Sequence, residues 1–131
     1  MKDVVIAGAA RTPIGSFNGG LSGLAASELG TIAISEALNR AKTAADEVSD
    51  VVLGQVLTAA AGMNPARQAA INAGIPVERT AYTINQVCGC GAYGKSSIKR
   101  TTATTKTRAS RSRPIRDNSI ISVSFFEKVS L

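Results

Sequence analysis

Between Val4 and Val87, short apolar runs alternate with helical patterns, and this alternation confines the chain to a narrow set of folds. Val4-Val5-Ile6-Ala7-Gly8 is a continuous apolar run of the kind that forms a strand buried on both faces. Gly and Ser cluster between Gly15 and Gly23, which predicts a loop. Ser27 precedes Glu28 and reads as an N-cap with an acid in the first turn. The helix it opens carries Leu29, Ile32, Ala33, Ala37 and Leu38 on its apolar face. Val51-Val52-Leu53-Gly54-Gln55-Val56 reads as a second strand. Asn64-Pro65 supplies an N-cap followed by Pro at the first helical position, and Gly74 supplies the stop. Ala66, Ala69, Ala70 and Ala73 give this second helix a small-residue surface suited to close packing. Thr83-Ile84-Asn85-Gln86-Val87 reads as a third strand that delivers the chain to Cys88. The order strand, helix, strand, helix, strand implies an α/β fold with parallel strands and right-handed helical crossovers. In open sheets of this kind chemistry gathers past the carboxyl ends of strands, and Cys88 is expected at such an end.

The pattern stops near Tyr93. Residues 1–92 hold six basic and seven acidic residues, a net charge of −1, whereas residues 93–131 hold nine basic and two acidic, a net charge of +7. Residues 96–120 contain five Ser and five Thr among Lys and Arg, with almost no apolar period. Such a stretch buries too little surface to offset its ordering entropy, so a basic, poorly ordered tail is expected after an ordered part spanning 1–92. Ile120-Ile121-Ser122-Val123-Ser124-Phe125-Phe126 is strand-like, and is expected either to pair with an open sheet edge or to form an aggregation-prone end. A hydrophobic content of 44% is enough for a core; with 4% aromatics and no Trp, that core must be built from Val, Ile, Leu and Ala.

Several classes of protein are disfavoured. No stretch approaches the roughly 18 consecutive apolar residues of a membrane span. Met1-Lys2-Asp3 is too short and too acidic for a secretory signal. The two cysteines, Cys88 and Cys90, lie one residue apart and cannot staple distant segments, so a reducing, cytoplasmic setting is expected. Nor do two thiols complete a tetrahedral metal shell, and no metal site is expected.

Three segments carry a family resemblance: Ala10-Arg11-Thr12-Pro13-Ile14-Gly15-Ser16-Phe17, Gly54-Gln55-Val56-Leu57-Thr58 running to Asn64-Pro65-Ala66-Arg67-Gln68, and Asn85-Gln86-Val87-Cys88-Gly89. In order and spacing they resemble the N-terminal part of thiolases, the short bacterial acetyl-CoA acetyltransferases above all, over about 70% of the chain, from Met1 to around Ala92. The resemblance implies a partial thiolase-like fold. It also implies the condensation of two acetyl-CoA molecules to acetoacetyl-CoA and free CoA, or its reversal. CoA thioesters are substrates in that family and no separate cofactor is implied. Cys88 matches the nucleophile that carries the acyl group as a thioester. The chemistry agrees, because a thiolate attacks thioesters readily and a free thiol of pKa ~8.5 supplies only a little of it at neutral pH. A helix N-terminus after the strand would lower that pKa. Family members assemble as dimers and tetramers. Arg11 and Asn64-Pro65-Ala66-Arg67 read as structural or interface residues.

The chain departs from the family in two respects. Cys90 stands where thiolases usually have Ser, and the buried apolar helix that follows in the family is replaced here by Gly94-Lys95-Ser96-Ser97-Ile98-Lys99-Arg100. Family catalysis also uses a histidine and a second, distant cysteine, whereas this chain contains no histidine and only Cys90 besides Cys88. An incomplete, catalytically inactive chain is expected. Two alternatives compete. Gly89-Cys90-Gly91-Ala92-Tyr93-Gly94-Lys95-Ser96 matches the phosphate-loop pattern G-x-x-x-x-G-K-[ST], but Ser and Thr make a poor helix after it, and the thiolase cysteine loop already accounts for its first half. The basic residues from Lys95 to Arg116 suit nucleic-acid phosphates, yet only Tyr93 lies near them to stack on a base, and such a charge run is usually just solvated.

Overall fold

The computed structural model describes residues 6–90 and the strand 121–123. Five regular elements follow one another: helix α1 (Ala26–Ala41), strand β1 (Asp50–Gly54), helix α2 (Pro65–Asn72), strand β2 (Thr80–Ile84) and strand β3 (Ile121–Val123). The sheet has the order β2-β1-β3 and both pairings are parallel. Asp50 to Gly54 stand opposite Thr80 to Ile84 in register, and the Gln55 N–H extends the ladder to the Ile84 carbonyl at 3.0 Å. Because β1 has a partner on each side, its residues are buried from Val51 to Gly54, as expected for a central parallel strand.

The sheet and both helices share one core. Side chains alternate along a strand, so Val51 and Leu53 face one way and join Ala33, Ile34, Ala37 and Leu38 of α1 with Ala66, Ala69 and Ala70 of α2. The alanines let the helices come close. A Cβ built on Gly30 of α1 would stand 3.1 Å from the Ala69 Cβ and 3.3 Å from a Leu53 methyl, so Gly30, Ala69 and Leu53 meet at a point with little room to spare.

Local chemistry explains where the helices begin and end. Asn64 is the N-cap of α2: its side-chain oxygen accepts from the Arg67 N–H at 3.2 Å, and its amide donates to the Ala81 carbonyl of β2 at 2.9 Å. Pro65 takes the first helical position, and Gly74, at φ +84°, lets the chain turn away after Asn72. Arg67 reaches from α2 to the Val77 carbonyl and, at 2.6 Å, to that of Arg79, tying down the connection into β2. The structural part expected for Asn64 and Arg67 is thus visible as hydrogen bonds; Arg11 is exposed.

Four sequence expectations need correction. Ser27 is not the cap of α1: the N-cap is Ala25, whose N–H donates to the Glu28 carboxylate at 2.6 Å, and Ser27 is buried inside the first turn. The helix starts earlier because Glu28 reaches back three residues to satisfy an orphan donor. The apolar face of α1 is also rotated, since Ile32 is 51% exposed while Ile34 is 1% exposed and lies in the core. Of the run Val4–Gly8, Val4 and Val5 lie outside the described residues, and Ile6, Ala7 and Gly8 form no strand. Gly8 and Ala9 lie beside α1, where Arg40 donates to the Ala9 carbonyl at 3.1 Å. The third strand runs over Thr80–Ile84, not Thr83–Val87, because Val87 adopts φ +49° and cannot continue a ladder. The expected loop at Gly15–Gly23 is present, and Ile121–Val123 pairs with an edge of β1 as one of its two expected fates. The expected disorder of the basic tail falls outside the described residues.

The rotation of α1 has a measurable consequence. Ile34→Ala is expected to cost about 2–5 kcal/mol, as a large-to-small change in a packed core does. Ile32→Ala should stay within about 0.5 kcal/mol of wild type. Urea unfolding followed by circular dichroism distinguishes the two.

Candidate active site: the cysteine turn past β2

After Ile84 the chain leaves the sheet and closes a tight turn within six residues. Asn85 and Gln86 lead into a 3-10 turn over Val87–Gly89, and Cys90 follows in helical conformation. Each of these residues has a task that its chemistry suits. Asn85 donates its side-chain amide to the Val56 carbonyl at 2.9 Å, which joins this turn to the segment after β1, and its side-chain oxygen accepts from the Val87 N–H at 3.3 Å. The Gln86 carbonyl accepts from the Gly89 N–H at 2.8 Å, and that of Val87 accepts from the Cys90 N–H.

Val87 is the strained residue. A β-branched side chain at φ +49° lies in the left-handed region that such residues avoid, at a cost of about 1–3 kcal/mol. Its N–H donates to the Asn85 side-chain oxygen and its carbonyl accepts from the Cys90 N–H, and these bonds hold it there. Its strained peptide immediately precedes Cys88, which is exposed. The two cysteines therefore occupy opposite settings: Cys88 is presented to solvent, while Cys90, 7% exposed, is turned into the protein.

Cys90 is buried against β1. A Cβ built on Gly54 would lie 2.3 Å from the Cys90 Cβ and 3.0 Å from its sulfur, so only glycine fits beneath it. Gly54 and Val52 alternate with Val51 and Leu53, which places this contact on the sheet face opposite the one that meets the helices. The Cys90 sulfur accepts from the Gln86 N–H at 3.2 Å, and its S–H donates to the Ile84 carbonyl at 3.7 Å.

The expected site residue, Cys88, thus lies past the carboxyl end of a strand as the α/β pattern requires, four residues beyond Ile84 and on a turn of its own. Sequence reasoning missed Asn85 and Gln86 as the turn's hydrogen-bonding groups and Gly54 as the seat of Cys90. A glycine ending an apolar strand was the available signal for the last. Among the described residues no three His, Cys, Asp or Glu side chains gather as a metal set would require. No helix among them is long and apolar enough to cross a membrane. Of the phosphate-loop pattern, Gly89 and Cys90 belong to the cysteine turn, and residues 91–96 lie outside the described residues. The basic stretch proposed to meet nucleic acid, Lys95–Arg116, lies outside them too.

The described residues thus form a parallel α/β segment that presents an exposed cysteine on a strained turn past a strand. The thiolase N-terminal domain model matches residues 4–108, and the chain belongs to the thiolase family. That match runs past the change of composition near residue 92. The chain is 56% identical over 91 residues to an acetyl-CoA acetyltransferase of Cupriavidus necator, covering 70% of this chain and 23% of the relative. It is 54% identical over 88 residues to the cytosolic acetyl-CoA acetyltransferase of Mus musculus, covering 67% of this chain and 22% of that one. The crystal structure of Acat5 thiolase from Ascaris suum in complex with coenzyme A superposes with a TM-score of 0.70 at 38% identity, over 78% of this chain and 26% of the other. The chain therefore spans about a quarter of the length of these relatives.

Gly54→Ala tests the contact beneath the turn. Overpacking of about 1–3 kcal/mol is expected, read as a lower urea midpoint. Cys90, protected in the native wild-type protein, should then become open to alkylation by iodoacetamide, which peptide mass spectrometry detects.

Proposed function

We propose that this segment carries the acyl-accepting nucleophile of an acetyl-CoA C-acetyltransferase, and that the nucleophile is Cys88. The single observation that carries the reading is the exposed Cys88 on a strained turn past β2, within a stretch 56% identical to an acetyl-CoA acetyltransferase. In the reaction the Cys88 thiolate attacks the carbonyl carbon of acetyl-CoA. The carbon–sulfur bond to CoA breaks, CoA leaves as its thiolate, and the acetyl group remains on Cys88 as a thioester. Attack by the carbanion of a second acetyl-CoA then forms acetoacetyl-CoA and returns Cys88 to its thiolate. The coenzyme A in the Ascaris suum complex supports CoA thioesters as the substrate class.

The 131 residues supply the nucleophile without the rest of the machinery. They contain no histidine to act as base, and Cys90 is buried two residues from Cys88, unsuited to serve as a second acid–base group on a substrate. A missing general base alone lowers rates by about 10²–10⁴-fold. We therefore take these residues by themselves to be inactive in turnover. A cytoplasmic setting is the natural one for CoA-thioester chemistry and matches the cytosolic mouse relative. Self-association like that of the family belongs to the same proposal.

Two assays test it together. Acetoacetyl-CoA thiolysis by the 131-residue chain should not exceed that of its Cys88→Ala variant. A chimera in which residues 1–92 replace the matching segment of the Cupriavidus necator enzyme should catalyse thiolysis, and Cys88→Ala in that chimera should reduce it to background. A chimera that keeps its activity after Cys88→Ala would falsify the assignment.

A further inference from the structure

The position of Cys90 is a departure from the family's usual Ser, and it is also the best-anchored point of the turn. Its Cβ rests on Gly54, its sulfur accepts from the Gln86 N–H at 3.2 Å, and its S–H donates to the Ile84 carbonyl at 3.7 Å. The same residue's backbone N–H donates to the Val87 carbonyl. One side chain thus ties the last residue of β2, the first corner of the turn and the end of β1 to a single point. Between these anchors lie only Val87, Cys88 and Gly89, and Val87 is held at φ +49°. A β-branched residue returns to negative φ unless its neighbours forbid it. The ties on either side of Val87 remove that freedom, because Gln86 before it and Cys90 after it are joined through the sulfur.

We propose that Cys90 is the positioning residue of the turn: by bridging Ile84 and Gln86 above Gly54, it holds Val87 in the left-handed conformation and so keeps the Cys88 thiol turned outward. Cys90 touches no substrate in this role; it acts through the backbone of its neighbours. Sulfur suits the place in two ways. It fills the space above Gly54 as a small apolar group does, and it still offers a weak acceptor to the Gln86 N–H and a weak donor to the Ile84 carbonyl, which also accepts from Gln55 at the end of the ladder. A serine hydroxyl carries the same donor and acceptor, so the two residue types are interchangeable in this function, whereas an aliphatic side chain of similar volume is not. The mechanistic value of the device rests on the reading of Cys88 as nucleophile, but the geometry of the turn does not.

The test uses the full 131-residue chain carrying Cys90→Val, which removes both hydrogen bonds and adds one methyl group, and Cys90→Ala, which removes them without adding bulk, beside Cys90→Ser, which keeps the bonds. A residue at positive φ shows a strong intraresidue cross-peak between its amide and α protons in a nuclear Overhauser spectrum. Val87 should show it in wild type and Cys90→Ser and lose it in Cys90→Val. Alkylation of Cys88 by iodoacetamide should slow severalfold in Cys90→Val and Cys90→Ala but not in Cys90→Ser. If Cys90→Val keeps the Val87 signature and the wild-type alkylation rate, Cys90 merely fills space and the proposal falls. Loss of the signature in Cys90→Ser overturns it equally. Cys90→Ala, which fits the same space, should reproduce both results. If it keeps the Val87 signature and the wild-type alkylation rate, the effect of Cys90→Val is bulk and the proposal falls. Where Cys90→Val does not fold, Cys90→Ala stands alone with the same two outcomes. The cross-peak does not depend on acyl chemistry, so a failure here is separable from a failure of the Cys88 assignment in the chimera.

Discussion

The meeting of Gly30, Ala69 and Leu53 is the contact on which the rest of the structure leans. With a Cβ on Gly30 only 3.1 Å from that of Ala69, the two helices approach as closely as their backbones allow, and both reach the same face of β1. Among the described residues the core contains no aromatic side chain and is made largely of alanine, valine, leucine and isoleucine. Small side chains bury little area each, so cohesion depends on close packing rather than on bulk. Asn64 then relays this arrangement to the neighbouring strand. It caps α2, donates to the Ala81 carbonyl and accepts from the Thr83 hydroxyl at 3.1 Å, so the position of α2 and that of β2 are set together.

The site is built on the far side of that framework. Where β1 ends in Gly54 and β2 ends in Ile84, the two strands leave a gap that one side chain fills from the opposite face. The turn that follows stores strain at Val87 and offsets it with hydrogen bonds from Asn85, Gln86 and Cys90. Strain of this kind persists only when the surroundings over-determine it, and it tends to gather where a reacting group has to be held in one orientation. Cys88 is exposed on the crest of such a turn while its near neighbour is buried, a division of labour between two chemically identical groups.

Membership in the thiolase family and the composition of the chain pull in different directions. The family match and the close relatives account for the N-terminal segment, yet the chain spans about a quarter of those relatives. Within that span lie a central parallel strand, a crossover helix with a well-formed cap, and a strained turn carrying an exposed thiol. The base that a thiolase uses is a histidine, and no histidine occurs in the 131 residues.

Much of this was legible in the residues. The α2 boundaries follow from Asn64, Pro65 and Gly74 because capping chemistry is local, and β1 follows from an unbroken apolar run. The three motifs carry the family resemblance, and Cys88 follows from it, since spacing along the chain is all that such a motif needs. Other features required the tertiary structure. Ile32 and Ile34 are equally apolar, and only the position of α2 decides which of them is buried. Ile121–Val123 is strand-like, and only the fold decides that it pairs with an edge of β1 rather than ending free. Thr83–Val87 has strand propensity, but a turn closed by Cys90 over Gly54 rotates Val87 out of the ladder. The sequence alone determined the order of α1, β1 and α2 and the placing of Cys88 past a strand, because those depend on neighbours along the chain. Which face is buried, where β2 ends and how the thiol is held out were decided by contacts between residues far apart in sequence, for which local propensity carries no information.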